Sequence, residues 1–357
     1  MLIPPLLQRP AFPAQPRPIV GIGAGGIVRN AHLPAYRKAG WTVASVYDVD
    51  AARAQALASD FGIPRTCRSV DEAVATAPAG AVFDLALPAA AITGVLAEIP
   101  DGAAVLIQKP PGETLAQATA IRGLCRSKSL AAAVNLQLRF APNMIAARDL
   151  VSRGLIGELH DVDIRVTCFT PWHLWRFLYG IPRMEIVYHS IHYVDLVRSF
   201  LGEPAGVWCK TVRHPDMMEL ASTRTSIAFD YGDVRRANIA TNHGHAFGTR
   251  HQESRLKLEG TRGAAVVRMG VNLDYPRGRP DELEYCLLGD GPPAWTSVRL
   301  EGSWFPDAFI GPMASLMRFA SGESAELPTS IEDAWRTMAV VEACHASSDR
   351  GATPIPG

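Results

Sequence analysis

Two side chains in this chain could share one piece of chemistry. An ammonium can stabilise a developing alkoxide, and a neutral imidazole can take the proton that a hydroxyl gives up as hydride leaves the same carbon. Lys109 stands in Ile107-Gln108-Lys109-Pro110-Pro111, directly after an apolar run that reads as a strand. Ligands of open parallel sheets bind beyond the carboxyl ends of the strands, so a lysine there is aimed at a crevice. Pro110 restricts the backbone before it, and either an extended or a cis linkage would fix that aim. A solvated lysine at a strand end is the alternative. His192 lies in Tyr188-His189-Ser190-Ile191-His192-Tyr193-Val194-Asp195. On a regular helix Tyr188, His192 and Asp195 share a face, and histidine is the side chain that titrates nearest neutrality. Asp195 could orient the imidazole, or the two could form a buried, satisfied pair without catalytic work.

Hydride chemistry needs an acceptor, and the start of the chain supplies a place for one. Val20-Gly21-Ile22-Gly23-Ala24-Gly25-Gly26-Ile27 runs from an apolar strand into a glycine-rich turn, and Asp48 ends the next strand, 22 positions beyond Gly26. This spacing predicts a dinucleotide-binding unit, with Gly21 for the tight turn, Gly23 for approach to the pyrophosphate and Gly26 for helix packing. Ala24, Gly25 and Ile27 complete the loop, and the following helix N-terminus favours phosphate. Leu87 and Pro88 after one strand, and Gln108 with Lys109 after the next, are expected at the same end of the sheet. Asp48 should accept the ribose hydroxyls and disfavour a 2′-phosphate, which predicts NAD. Arg53 stands close behind and softens that preference, leaving NADP as the alternative.

The positioning elements follow from hydrophobic periodicity. Apolar runs at Ile19–Gly23, Val43–Tyr47, Val82–Leu87, Val105–Ile107 and Ala131–Asn135 alternate with helical stretches, which predicts a doubly wound parallel sheet, a Rossmann domain, over residues 19–137. Thr114 and Gln117 have capping-box spacing ahead of the apolar stripe Leu115, Ala118, Ile121 and Leu124. Residues 138–357 change character. Polar and apolar residues alternate through Asp161–Cys168, Thr225–Tyr231, Val234–Asn242 and Arg255–Leu258, with turns at Gly232-Asp233 and Gly260-Thr261-Arg262-Gly263. That predicts an α+β domain on a large, mostly antiparallel, open-faced sheet. Helices are expected over Tyr188–Leu201, from about Asp307 to Ala320 and from about Ser330 to Asp349. Residues 1–18 are proline-rich and read as an extended arm, a candidate oligomer contact.

Composition narrows the partners. With 35 basic and 35 acidic residues among 357, no global field favours nucleic acid or an anionic membrane, so a small molecule is expected. No apolar run approaches a bilayer span. The six cysteines show no C-x-x-C spacing, which points to reduced thiols in a cytoplasmic protein rather than disulfides or a zinc ribbon.

Taken in order, these motifs resemble the glucose-fructose oxidoreductase, inositol dehydrogenase and rhizopine-catabolism family, Gfo/Idh/MocA. The glycine loop, Gln108-Lys109-Pro110 against the family's Glu-Lys-Pro, His192-Tyr193-Val194-Asp195-Leu196 with Leu201-Gly202-Glu203-Pro204, and Thr329-Ser330-Ile331-Glu332-Asp333-Ala334 with the helix after it carry the likeness. The resemblance implies oxidation of a sugar or polyol hydroxyl by a nicotinamide cofactor, with Lys109 on the substrate oxygen and His192 as base. It also implies a homodimer or homotetramer through the open sheet face, whose exposed surface should be apolar or mixed. Gln108 replaces the usual Glu, and Tyr188 stands where many members have Asp, so Tyr188 could instead donate to substrate.

The stretch from Phe169 to Tyr179 is aromatic, and Trp172 or Trp175 could stack on sugar C–H faces or plug an interface. His189, Arg139 and Asn242 are further substrate candidates, beside His243 and His245. Rival readings are a metal enzyme using His189, His192 and Asp195, or His243, His245 and His251, an NAD-dependent glycosidase, and a dinucleotide sensor. The expected metal requirement is none.

Overall fold

The computed structural model describes residues 3–356, and the chain divides into two compact units. One contains residues 9–141 and 305–338, the other residues 3–8, 142–304 and 339–356, so the division falls inside the last helix. The chain returns to the first unit after leaving it, which a division by sequence position does not anticipate.

In the first unit six parallel strands lie in the order β3-β2-β1-β4-β5-β6: β1 Ile19–Ile22, β2 Val43–Tyr47, β3 Thr66–Cys67, β4 Val82–Leu85, β5 Ala104–Ile107 and β6 Ala131–Val134. Between them run α1 Leu33–Ala39, α2 Ala51–Phe61, α3 Val70–Ala75, α4 Ala89–Glu98 and α5 Leu115–Ser127. This is the expected doubly wound arrangement, with β3 too short to show in the sequence pattern. The predicted cap of α5 is present: Thr114 Oγ1 accepts from Gln117 N at 3.2 Å, and Gln117 Oε1 accepts from Glu113 N at 2.7 Å. Its buried residues are Ala118, Ile121 and Cys125, so the stripe turns slightly from the expected one, with Leu115 and Leu124 half-buried. Returning helix α8, Ile310–Ala320 after a distinct entry segment, packs in this unit on β5 and β6. Gly311 makes that approach close, because a Cβ there would lie 2.2 Å from the Phe140 ring.

The second unit begins with α6, Pro142–Ser152, and is built on a mixed eight-stranded sheet. Its strands are β7 Leu159–Thr167, β8 Gly206–Val212, β9 Arg224–Asp230, β10 Arg236–Asn242, β11 Glu253–Gly260, β12 Gly263–Arg268, β13 Glu282–Leu287 and β14 Trp295–Ser297. Their order is β14-β13-β12-β11-β7-β10-β9-β8, antiparallel throughout except where β10 runs parallel to β7. Alternation along the strands buries Val162, Ile164, Val166, Leu256 and Leu258 on one face. Opposite them lie charged residues, including the diagonal pair Arg255–Asp163 at 3.4 Å and the in-register pair Arg236–Asp161 at 2.6 Å. The open face is therefore mixed, with ion pairs at its centre and exposed Trp208 (64%) and Trp295 (49%) toward its edges. Helix α7, Ile191–Leu201, contacts β7 and β10, and α9, Ile331–Arg350, closes the chain.

The arm is bonded to its own chain. Leu7 N donates to Asp149 at 3.1 Å and Glu301 N donates to Gln8 at 2.8 Å in one unit, while in the other Ala14 N donates to Glu323 and Phe12 packs edge-on to Trp41. All six cysteines are free thiols. Among the described residues no helix is long and apolar enough to cross a membrane.

Candidate active site

Gly23 is where the glycine loop demands glycine. Its φ is 110°, and a Cβ there would lie 2.3 Å from Ala86 O. The other two positions have roles different from those expected. Gly21 is an interior residue of β1 whose Cβ would meet Val46 at an ordinary 3.7 Å, and Gly26 lies open. Gly25 is equally open, so the loop from Gly23 to Gly26 offers bare backbone, as a dinucleotide cradle requires. The helix entered at Gly26 and Ile27 carries a π-helical turn, Val28–His32, before α1. Asp48 is already engaged within this loop: one carboxylate oxygen accepts from Ala24 N at 2.7 Å and the other from Asp50 N at 2.8 Å. Each oxygen keeps a second lone pair for a ribose hydroxyl. Arg53 lies 3.7 Å from Asp48 and 3.2 Å from Asp50, where it offsets the acidic charge.

A buried relay runs through the same unit. Asp84, the single charged residue of β4, accepts at 2.8 Å from Tyr36 OH and lies 2.8 Å from His32 Nδ1. Asn135 Nδ2 reaches His32 Nε2 at 3.2 Å and donates to Gln108 Oε1 at 2.9 Å. An amide donor on Nε2 assigns the imidazole proton to Nδ1, facing Asp84. Burial, reinforced by Asp84, raises the Tyr36 pKa well above its ordinary value. The relay thus ends on the amide next to Lys109. That lysine is half-buried beyond β5, and burial pulls its ammonium pKa down to about 8. The Lys109–Pro110 bond is cis. Leu87 and Pro88 link β4 to α4, with Pro88 at the helix cap. The Arg139 guanidinium is held by Asp333 at 2.6 Å and donates to Pro328 O at 3.0 Å.

In the second unit the helix carrying His192 is not regular. A π-helical turn, Ile186–Ser190, precedes α7, so the four-residue stacking expected of Tyr188 and His192 is broken. Tyr188 packs on Phe177 with ring centroids 5.8 Å apart, whereas His192, 7% exposed, meets Trp304 edge-on at 6.1 Å. Trp304 gave no signal in the sequence. Its backbone N donates at 2.6 Å to Asp281, which also accepts from Gly270 N at 2.6 Å. His189 packs against the rings of Trp172 at 4.9 Å and His243 at 4.8 Å. Trp172 is only 3% exposed and packs against His189. Trp175 is half-buried against Tyr275 at 5.5 Å. Asn242 closes the turn after β10, accepting from Gly244 N at 3.0 Å. Neither histidine array of the metal reading assembles, because among the described residues no three His, Cys, Asp or Glu side chains are grouped to hold an ion.

Behind His189 lies a buried ion pair that the sequence did not disclose. Glu185, fully buried, accepts from Ser190 Oγ at 2.7 Å, Thr241 Oγ1 at 3.0 Å and Thr225 Oγ1, and lies 3.2 Å from His243 Nε2. His243 Nδ1 lies 3.0 Å from Thr170 Oγ1 and 3.7 Å from Cys168 Sγ. Burial opposes charge on both partners. The bonds of His243 to Cys168 and Glu185 outweigh it and push the imidazole pKa up to about 10, while His243 and the hydroxyls hold Glu185 below the usual carboxylate range.

Two outcomes follow from this geometry. Gly23→Ala should lose more than about 1 kcal/mol of stability, since it combines a positive φ with a backbone clash, and should weaken NADH binding; thermal melting and fluorescence titration read both, and an unchanged melting temperature contradicts the cradle. For His243 the folded pKa of about 10 lies above the ordinary 6.5, so its stabilising contribution is complete below pH 6.5 and lost as pH rises through about 10. Chemical denaturation across that window should show a decline that His243→Gln removes.

Comparison with known proteins agrees with these features. Residues 18–136 match the oxidoreductase family with NAD-binding Rossmann fold, and residues 144–266 match the GFO/IDH/MocA C-terminal domain. The chain is 28% identical over 256 residues to 1,5-anhydro-D-fructose reductase of Ensifer adhaerens, covering 69% of this chain and 74% of the relative. It is 24% identical over 339 residues to D-apiose dehydrogenase of Paraburkholderia graminis, covering 93% and 88%. Among solved structures, an oxidoreductase from Agrobacterium radiobacter in complex with NAD+, L-tartaric acid and magnesium superposes with a TM-score of 0.78 at 20% identity, over 95% of this chain and 98% of that one. The glycine cradle and the lysine past β5 lie within the first matched segment and the histidine of α7 within the second, and the chain belongs to the Gfo/Idh/MocA family of NAD-binding oxidoreductases.

Proposed function

We propose that the chain is an NAD-dependent dehydrogenase acting on a CH–OH group of a sugar or polyol. The observation that carries this reading is Lys109, a half-buried ammonium at the carboxyl end of the parallel sheet that also bears the Gly23 cradle. A bound nicotinamide would supply the hydride acceptor. Lys109 holds the substrate oxygen and stabilises negative charge as it develops, and His192 takes the hydroxyl proton. Tyr188, in place of the acid that many relatives carry, donates a hydrogen bond to substrate, and His189 is a further substrate ligand. The names of the curated relatives, a reductase of an anhydro-sugar and a dehydrogenase of a branched pentose, support a sugar as substrate. Asp48 favours NAD, and the nearby Arg53 guanidinium lets NADP bind with lower affinity.

The mixed open face of the second unit, with Trp208 and Trp295 exposed, supports a homodimer or homotetramer. Light scattering should give a multiple of the chain mass, and a monomer contradicts this part of the proposal.

Lys109→Ala and His192→Ala should each lower turnover of an oxidised sugar by about 10²–10⁴-fold, with NADH affinity within a few-fold of the parent. A panel of aldoses and polyols followed by reduced-cofactor absorbance identifies the substrate for that measurement. Intact turnover in either variant overturns the assignment.

A further inference from the structure

We infer that Glu185 and His243 are a positioning pair that sets the aim of Tyr188, His189 and the first turn of the His192 helix. The inference rests on the proposed dehydrogenase reading for its consequence and on geometry for its parts. Ser190, the last residue of the π-helical turn, is tied by its hydroxyl to the Glu185 carboxylate at 2.7 Å, and Glu185 itself is the residue immediately before the turn. The carboxylate thus clamps the irregular turn across both its ends. Thr225 of β9 and Thr241 of β10 bond the same carboxylate, which fixes the turn to two adjacent strands. His243, just past β10, adds a third attachment and passes it on through Thr170 to the aromatic segment that contains Trp172. Three chain segments therefore share one imidazole, and the His189 ring packs against both its ring and the Trp172 ring in a three-ring cluster.

A π-helical turn is a costly irregularity that is found mostly at functional sites. A buried ion pair is equally costly unless its geometry is excellent and its remaining lone pairs are satisfied. Here the two coincide. The hydroxyl donors satisfy the carboxylate, and Thr170 accepts from the imidazole nitrogen that faces away from Glu185 when His243 carries both protons. A fully regular helix would not need this support. What the pair secures is the displaced register by which Tyr188 and His192 meet different neighbours, Phe177 and Trp304. Neither Glu185 nor His243 takes part in proton transfer with substrate in this account; both act through the side chains they position.

Glu185→Gln is the discriminating variant. It keeps the shape but removes the charge: its amide oxygen can still accept from Ser190, Thr241 and His243, its NH2 meets the Thr225 hydroxyl, and the imidazolium loses its counter-charge. The parent, Glu185→Gln, His243→Gln and the double variant are compared in turnover, KM, NADH affinity and histidine ¹⁵N resonances of the substrate-free protein. Each single variant should lose about ten- to hundredfold in kcat, the scale of a misplaced catalytic group, with KM and NADH affinity changed less than about threefold. The double variant should regain part of kcat, because two amides pair as donor and acceptor. In the parent the His243 resonances should be those of an imidazolium, and Glu185→Gln should abolish that signature. Thr241→Val removes one donor without removing charge, and should show a smaller kcat loss of the same kind if Glu185→Gln fails to fold. Unchanged kcat in folded Glu185→Gln or in Thr241→Val overturns the inference, as does a neutral His243 in the parent. A parent that binds no NADH counts instead against the dehydrogenase reading, and the resonances still decide the pair.

Discussion

Carboxylates buried wholly or in part, each of which must find donors within the protein, dictate the local structure around both the glycine loop and the His192 helix. An unpartnered carboxylate in an apolar interior is prohibitively unstable, so the sequence around each one is committed to serving it. Asp48 draws in the amides of Ala24 and Asp50 and so holds the glycine loop against the end of β2. Asp84 gathers Tyr36 and His32 beneath β4. Glu185 gathers hydroxyls from a helical turn and two strands, together with an imidazole. The described residues contain two π-helical turns, one in each unit, and each ends on a side chain bonded to one of these acids, His32 to Asp84 and Ser190 to Glu185. The first turn leads out of the nucleotide loop and the second into the helix of His192. Helical irregularity, buried charge and the segments that bear the proposed chemistry occur together in both units.

Much of the fold could be read from periodicity, because strand faces and helix stripes leave a mark at every second or every third and fourth residue. Val43–Tyr47 is bounded as expected, and the hairpin at Gly260-Thr261-Arg262-Gly263 joins β11 to β12. The two-residue strand β3 is too short for any period to register, and the return of α8 to the first unit is a tertiary event without a local signal. The site was legible in part. Gly23 is required by sterics that a glycine pattern encodes, whereas Gly21 and Gly26 fit the same pattern without the packing roles it suggests. The residues from Tyr188 through Leu201 predict a regular helix, since nothing local announces a π-turn; its support comes from Thr225, Thr241 and His243, far along the chain. Asp84 within Val82-Phe83-Asp84-Leu85 was a visible anomaly, a charge inside a fully buried strand, and could have disclosed the relay that ends at Gln108.

The two departures from the family pattern acquire physical content from these networks. Gln108 accepts from Asn135 as a carboxylate would, so the relay is preserved while the charge beside Lys109 is removed. Tyr188 follows an acid, Glu185, that stays buried among its own donors and is directed to strands β9 and β10. The chain therefore keeps the lysine and the histidine of its family and changes the groups adjacent to each in sequence.

In the proposed reaction, hydride passes from a sugar or polyol carbon to the cofactor. The most direct test is to incubate the protein with NAD and a substrate sugar deuterated at the reacting carbon, then isolate the reduced cofactor and locate the label by NMR. The account predicts one deuterium at nicotinamide C4 for each carbonyl formed, on a single face of the ring. Conversion of the sugar with no deuterium in the cofactor would contradict it.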